Sequence, residues 1–126
     1  AWSPDQVAAA AYLRDNVAEG EIVATNIAFS AVVPALSGVP MYIAAIQYQA
    51  PYGRPSQLQP LLERERLMWE FAGSPSAQSL APMCAANVGW LWIDPERTPA
   101  STWEPFATAV IAKPDVIILR VNRSAC

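Results

Sequence analysis

At 126 residues the chain has the commonest size of a single domain, too short for two separate cores or for a multidomain enzyme. Apolar residues make up 53% and charged ones 15%, a balance that excludes intrinsic disorder and lets a core form without a dense disulfide framework. The net charge of −3 offers nucleic acid or anionic lipid no attractive field, so no nucleic-acid partner is expected.

Ser3-Pro4-Asp5-Gln6 reads as a helix start: serine at the N-cap, proline in the first turn, an acid beside it and glutamine three residues after the serine. Val7, Ala10, Ala11, Leu13 and Val17 recur at helical spacing, so a helix is expected over 4–17 with Gly20 as its C-terminal cap. Ile22-Val23-Ala24-Thr25 is too brief for a helix and reads as a buried parallel strand. Residues 28–36 are ambiguous, and Met41-Tyr42-Ile43-Ala44 after the turn Ser37-Gly38-Val39-Pro40 reads as a second strand.

Residues 47–60, dense in Gln, Pro and Tyr, are expected to form an exposed loop before an amphipathic helix over 61–72 that stops at Gly73. Ser74-Pro75-Ser76 opens a short helix to about Ala86 by the same cap and proline logic. Residues 88–94 are aromatic and β-branched, a good strand, and Trp90 and Trp92 share one face that packs under a helix. A short helical turn over 101–106 leads to strands at 109–111 and 116–121, joined as a hairpin by Lys113-Pro114-Asp115. The expected architecture is a single α/β domain over 1–126, layered and Rossmann-like, with a small mixed sheet, mostly parallel and ending in an antiparallel hairpin.

The inventory excludes several chemistries. Without histidine there is no neutral-pH imidazole base and no Ser/His or Cys/His nucleophile pair. Two cysteines at long spacing do not make a zinc site, and five scattered glycines write neither a dinucleotide fingerprint nor a P-loop, so no metal and no cofactor are expected. No run of 18 apolar residues occurs, and no signal peptide is visible at the start. Cys84 and Cys126 are either bridged, which would stabilise the fold by about 4 kcal/mol on the chain-entropy argument, or two unrelated thiols.

Three polar groupings invite a functional reading. Asn26 stands at the carboxyl end of the first strand, where open α/β sheets bind ligands; the plainer reading is a cap of the next turn. Tyr48, Tyr52 and Arg54 follow the second strand and could wall the same crevice for a sugar or peptide, or simply lie on the surface of a loop. Glu63, Glu65 and Glu70 with Arg64 and Arg66 fit surface ion pairs on a helix.

The succession Ala9-Ala10-Ala11-Tyr12-Leu13-Arg14-Asp15-Asn16-Val17, Glu19-Gly20-Glu21-Ile22-Val23-Ala24-Thr25-Asn26, Gly38-Val39-Pro40-Met41-Tyr42-Ile43, Leu61-Leu62-Glu63-Arg64-Glu65-Arg66, Val88-Gly89-Trp90-Leu91-Trp92-Ile93-Asp94 and Val116-Ile117-Ile118-Leu119-Arg120-Val121 carries a resemblance. In element order and phrase it resembles the soluble C-terminal domain of bacterial multi-spanning membrane glycosyltransferases that use polyprenyl-phosphate sugars, related in plan to mannosyltransferases and arabinosyltransferases. That resemblance implies an accessory domain at the extracytoplasmic face of the cell membrane, excised from a longer membrane protein, which helps to shape donor or acceptor binding. Its implied partners are the membrane-spanning part of the same chain and a glycan or polyprenyl-phosphate sugar. Catalysis in that family resides in acidic loops between membrane helices, so no catalytic residue is assigned here. The alternative expectation is a free-standing secreted carbohydrate- or peptide-binding module using Asn26, Tyr48, Tyr52 and Arg54. A small enzyme built on Asp94 or Glu63 ranks last, for want of a histidine or a nucleotide motif.

Overall fold

The computed structural model describes residues 2–26, 39, 55–98 and 102–126, with the backbone course alone for 55–62. The expected strand at 41–44, the ambiguous stretch 28–36 and the segment 47–54 lie outside the described residues.

Helix α1, Pro4–Asn16, begins where its sequence places the cap. The Gln6 backbone N–H donates to Ser3 Oγ at 3.1 Å, and the Ser3 N–H donates back to Gln6 Oε1 at 3.0 Å. The helix closes at Val17 in an extended conformation, so Gly20 is not its cap. Gly20 serves instead as the left-handed residue, φ +84°, of the turn into strand β1, Ile22–Thr25.

Helix α2 spans Pro55–Gly73 and starts earlier than the expected 61. The proline and glutamine density read as loop belongs, from Pro55 onward, to the opening turns of the helix, where Pro55 needs no N–H partner. Helix α3, Ala77–Ala85, is capped by Ser76, with Pro75 ahead of the cap and not in the first turn. Ser76 and Ser79 exchange backbone-to-hydroxyl hydrogen bonds, both 2.9 Å, which makes this serine the better cap.

Strands β2, Val88–Ile93, β3, Ala107–Lys113, and β4, Val116–Val121, complete one sheet in the order β1-β2-β4-β3. Only β1 and β2 run parallel; β2–β4 and β4–β3 are antiparallel, so the described sheet is mixed but not mostly parallel. The reason lies in the hairpin. Its second strand is apolar but for Arg120 and buried at four of its six positions, whereas Thr108, Ala109 and Val110 of β3 are exposed. Burial therefore draws β4 into the centre beside β2 and leaves β3 as the edge.

Period-two alternation sorts the core into two clusters. Val23, Trp90, Trp92, Val116 and Ile118 meet Ala9, Ala10 and Leu13 of α1, whose small residues let the helix lie close to the sheet. Ala24, Leu91, Ile93, Leu119 and Val121 meet Met68, Phe71 and Ala72 of α2 and Leu80 and Met83 of α3 on the other face. Tyr12 and Trp2 pack edge-on against Trp90 and Trp92, with centroids 5.7 and 6.0 Å apart. The Trp103 indole N–H donates to the Ala72 carbonyl at 3.2 Å and pins the approach to β3 under α2.

After β4 a short 3-10 turn, Arg123–Ala125, carries the chain back to α3, where Cys126 is disulfide-bonded to Cys84 with Cα atoms 5.7 Å apart. Among the described residues no helix is long and apolar enough to cross a membrane.

Candidate functional site

At the carboxyl end of the parallel pair, Asn26 is fully buried and its amide is consumed by the fold. Its Nδ2 donates to the Asp94 carbonyl at 3.1 Å and to Thr98 Oγ1 at 2.5 Å, while its Oδ1 accepts from the Asp94 N–H at 2.7 Å. The side chain thereby copies a strand partner for the residue that follows β2 and fixes how the two parallel strands end. Replacing Asn26 by alanine strands the Asp94 N–H and carbonyl; we expect a loss of about 2 kcal/mol, seen as a lower urea midpoint at unchanged slope.

Asp94, the residue a small-enzyme reading would need, is also occupied locally. Its carboxylate accepts from the Glu96 N–H at 3.0 Å and lies 3.6 Å from Arg97 Nε. On α2, Arg66 bridges Glu63 and Glu70 at 2.6 and 3.0 Å in the open, and its hydrogen bond holds the Glu63 carboxyl below the usual range. Tyr48, Tyr52 and Arg54 lie outside the described residues.

The opposite end of the sheet holds the denser chemistry. Glu21, buried at the entry to β1, accepts at Oε1 from the Ala18 N–H, 2.9 Å, and the Trp90 indole N–H, 3.1 Å. Its Oε2 accepts from Arg120 Nη1, 2.7 Å, and Arg123 Nη2, 3.1 Å. Burial alone would raise the pKa of this carboxyl, but the four donors outweigh it together and hold it down at about 2. The Arg120 guanidinium also lies over the Trp90 ring, 4.4 Å from its centroid, so that one ion pair and one aromatic face fix its position.

Gly89 makes room for this arrangement. Register shifts between Ile22 and Val23, leaving Gly89 as an extra residue on β2, and a Cβ there would stand 2.9 Å from Glu21 Cδ and 3.0 Å from Arg120 Nη1. Gly89→Ala is expected to cost about 1–3 kcal/mol by pushing the carboxylate off its donors, measurable by thermal unfolding. Asn87, φ 60°, turns the chain just before β2 and its Nδ2 donates to the Gly20 carbonyl at 2.6 Å, tying both strand entries together.

Sequence reasoning passed over Glu21, Gly89, Arg120 and Arg123 as a group. The available signal was an arginine set inside the apolar run 116–121 and a glutamate at the mouth of an apolar strand, each needing a counter-charge. Among the described residues no group of three or more Cys, Asp or Glu side chains is placed to hold a metal ion. Compared with protein-family models, curated proteins and solved structures, the chain matches none.

Proposed function

We propose that the chain is an extracytoplasmic accessory domain of a membrane-bound glycosyltransferase, which helps to shape the site for a polyprenyl-phosphate sugar or its acceptor. The observation that carries the compartment is the Cys84–Cys126 bond, since disulfides persist in oxidising surroundings outside the cytoplasm. The transferase part rests on the order and phrasing of the elements, from the alanine-rich helix through the strand at Ile22 to the closing strand at Val116. On this reading the layering is Rossmann-like, an extension supported by α1 on one face of the sheet and α2 with α3 on the other.

The reading frame upstream of Ala1 is expected to encode several apolar segments of about 20 residues, each long enough to span a bilayer. Deleting residues 1–126 from that parent is expected to leave it in the membrane while lowering transfer from the lipid-linked donor. A frame with a signal peptide alone, or with no apolar segment, overturns the membrane reading and favours a secreted glycan- or peptide-binding module.

A further inference from the structure

Around Asn26 the polar groups use one another up, whereas at Glu21 two cations share one anion. Arg120 Nη1 and Arg123 Nη2 both converge on Oε2, so two guanidinium groups stand side by side with a single carboxylate between them. This ion-paired group of three side chains carries one positive charge in excess, within a chain whose overall charge is −3. The arginine side chains are 34% and 45% exposed, against 7% for the glutamate. Their remaining N–H donors have no partner among the described residues except the Gly89 carbonyl, 3.5 Å from Arg120 Nη1.

We propose that the outward edges of Arg120 and Arg123 form an anion site that takes a phosphate group, as a phosphomonoester or phosphodiester. Three features suit it. A guanidinium presents its donors as a flat fork matched to phosphate oxygens, and two forks can hold one group from two sides. Arg120 is immobilised by Trp90 and Glu21, so little side-chain freedom remains to be lost on binding. Glu21, which meets each arginine through one terminal nitrogen, relieves part of the repulsion between the two cations, and the partly exposed guanidinium groups keep further N–H donors for a second anion. The phosphate could be that of a lipid-linked sugar or a free anion; only the first of these sources rests on the transferase reading above.

The test titrates the intact, oxidised chain with inorganic phosphate and, separately, with geranyl phosphate, following the arginine Nε–H signals by NMR. Saturable shifts at Arg120 and Arg123 are expected, with affinity falling as sodium chloride is raised. Arg123→Gln is expected to weaken binding at least about tenfold, the loss of one charge-assisted contact, while Arg123→Lys keeps the charge and retains part of the affinity. Absence of a saturable response, affinity unchanged in Arg123→Gln, or affinity indifferent to salt overturns the site; the salt arm needs no variant and decides the matter should Arg123→Gln not fold. Tighter binding of geranyl phosphate supports the site with a lipid-linked source. Equal binding of the two supports the site with a free-anion source and counts against a lipid-linked donor at this position, without touching the membrane-span test of the parent protein.

Discussion

Cys126→Ser is expected to lower the stability of the isolated chain by about 4 kcal/mol, the largest effect of any single change considered. The bond closes a sequence separation of 42 residues, and a loop of that length removes about this much free energy from the folded side when it is opened, through the regained entropy of the unfolded chain. Against a total of roughly 5–15 kcal/mol for a domain, that is a large fraction. The melting temperature is expected to fall by roughly 15 °C in differential scanning calorimetry, and a strong dithiol reductant should reproduce the fall in the unmodified chain. A second consequence is local. The turn Arg123–Ala125 is held between β4 and the disulfide, so opening the bond also loosens Arg123 from Glu21. Combining Cys126→Ser with Arg123→Gln is therefore expected to cost less than the two single losses added together, since both act on the same tail. Strict additivity in a double-mutant cycle would show that the tail stays in place without the disulfide.

Glu21→Ala is expected to cost about 2–3 kcal/mol, below the 3–5 kcal/mol found when one partner of a fully buried ion pair is removed, because both arginines keep access to water. The alanine leaves the Ala18 and Trp90 N–H groups without acceptors and two guanidinium groups facing each other with nothing between. The same network fixes an acid limb. Folding lowers the Glu21 pKa from 4.5 to about 2, so the folded state binds its proton less tightly than the unfolded chain does. Its contribution is complete above pH 4.5 and drains away as pH falls toward 2, with a loss of about 2 kcal/mol after allowing for the half-exposed partners. Urea midpoints measured at pH 6 and pH 3 should therefore lie further apart for the unmodified chain than for Glu21→Gln, which has no proton to gain in that window. An identical pH dependence in the two proteins would remove Glu21 from the acid response.

Much of the local architecture was legible from short stretches of sequence. The Ser3–Gln6 cap, the strand at Ile22, the shared face of Trp90 and Trp92, and a hairpin turn at Lys113-Pro114-Asp115 all follow from nearest neighbours, and each reappears in the structure, the turn narrowed to Pro114-Asp115 by the pairing of Lys113 with Val116. Such features depend on caps, side-chain period and turn geometry, which act within a few residues. The start of α2 was misread because proline-rich sequence resembles a loop until the packing of the helix after it is known.

What the sequence by itself determined is thus the existence and order of α1, β1, α2, α3, β2 and the β3–β4 hairpin, and the two opposite faces of β2. The tertiary structure alone decided that β4 enters the sheet between β2 and β3, because that choice compares the burial of two adjacent strands against a distant partner. It also decided that Cys84 meets Cys126, and that Glu21 gathers Trp90, Arg120 and Arg123 from positions 69, 99 and 102 residues away. A buried charge must find its donors wherever the fold brings them, and separation along the chain carries no trace of that meeting.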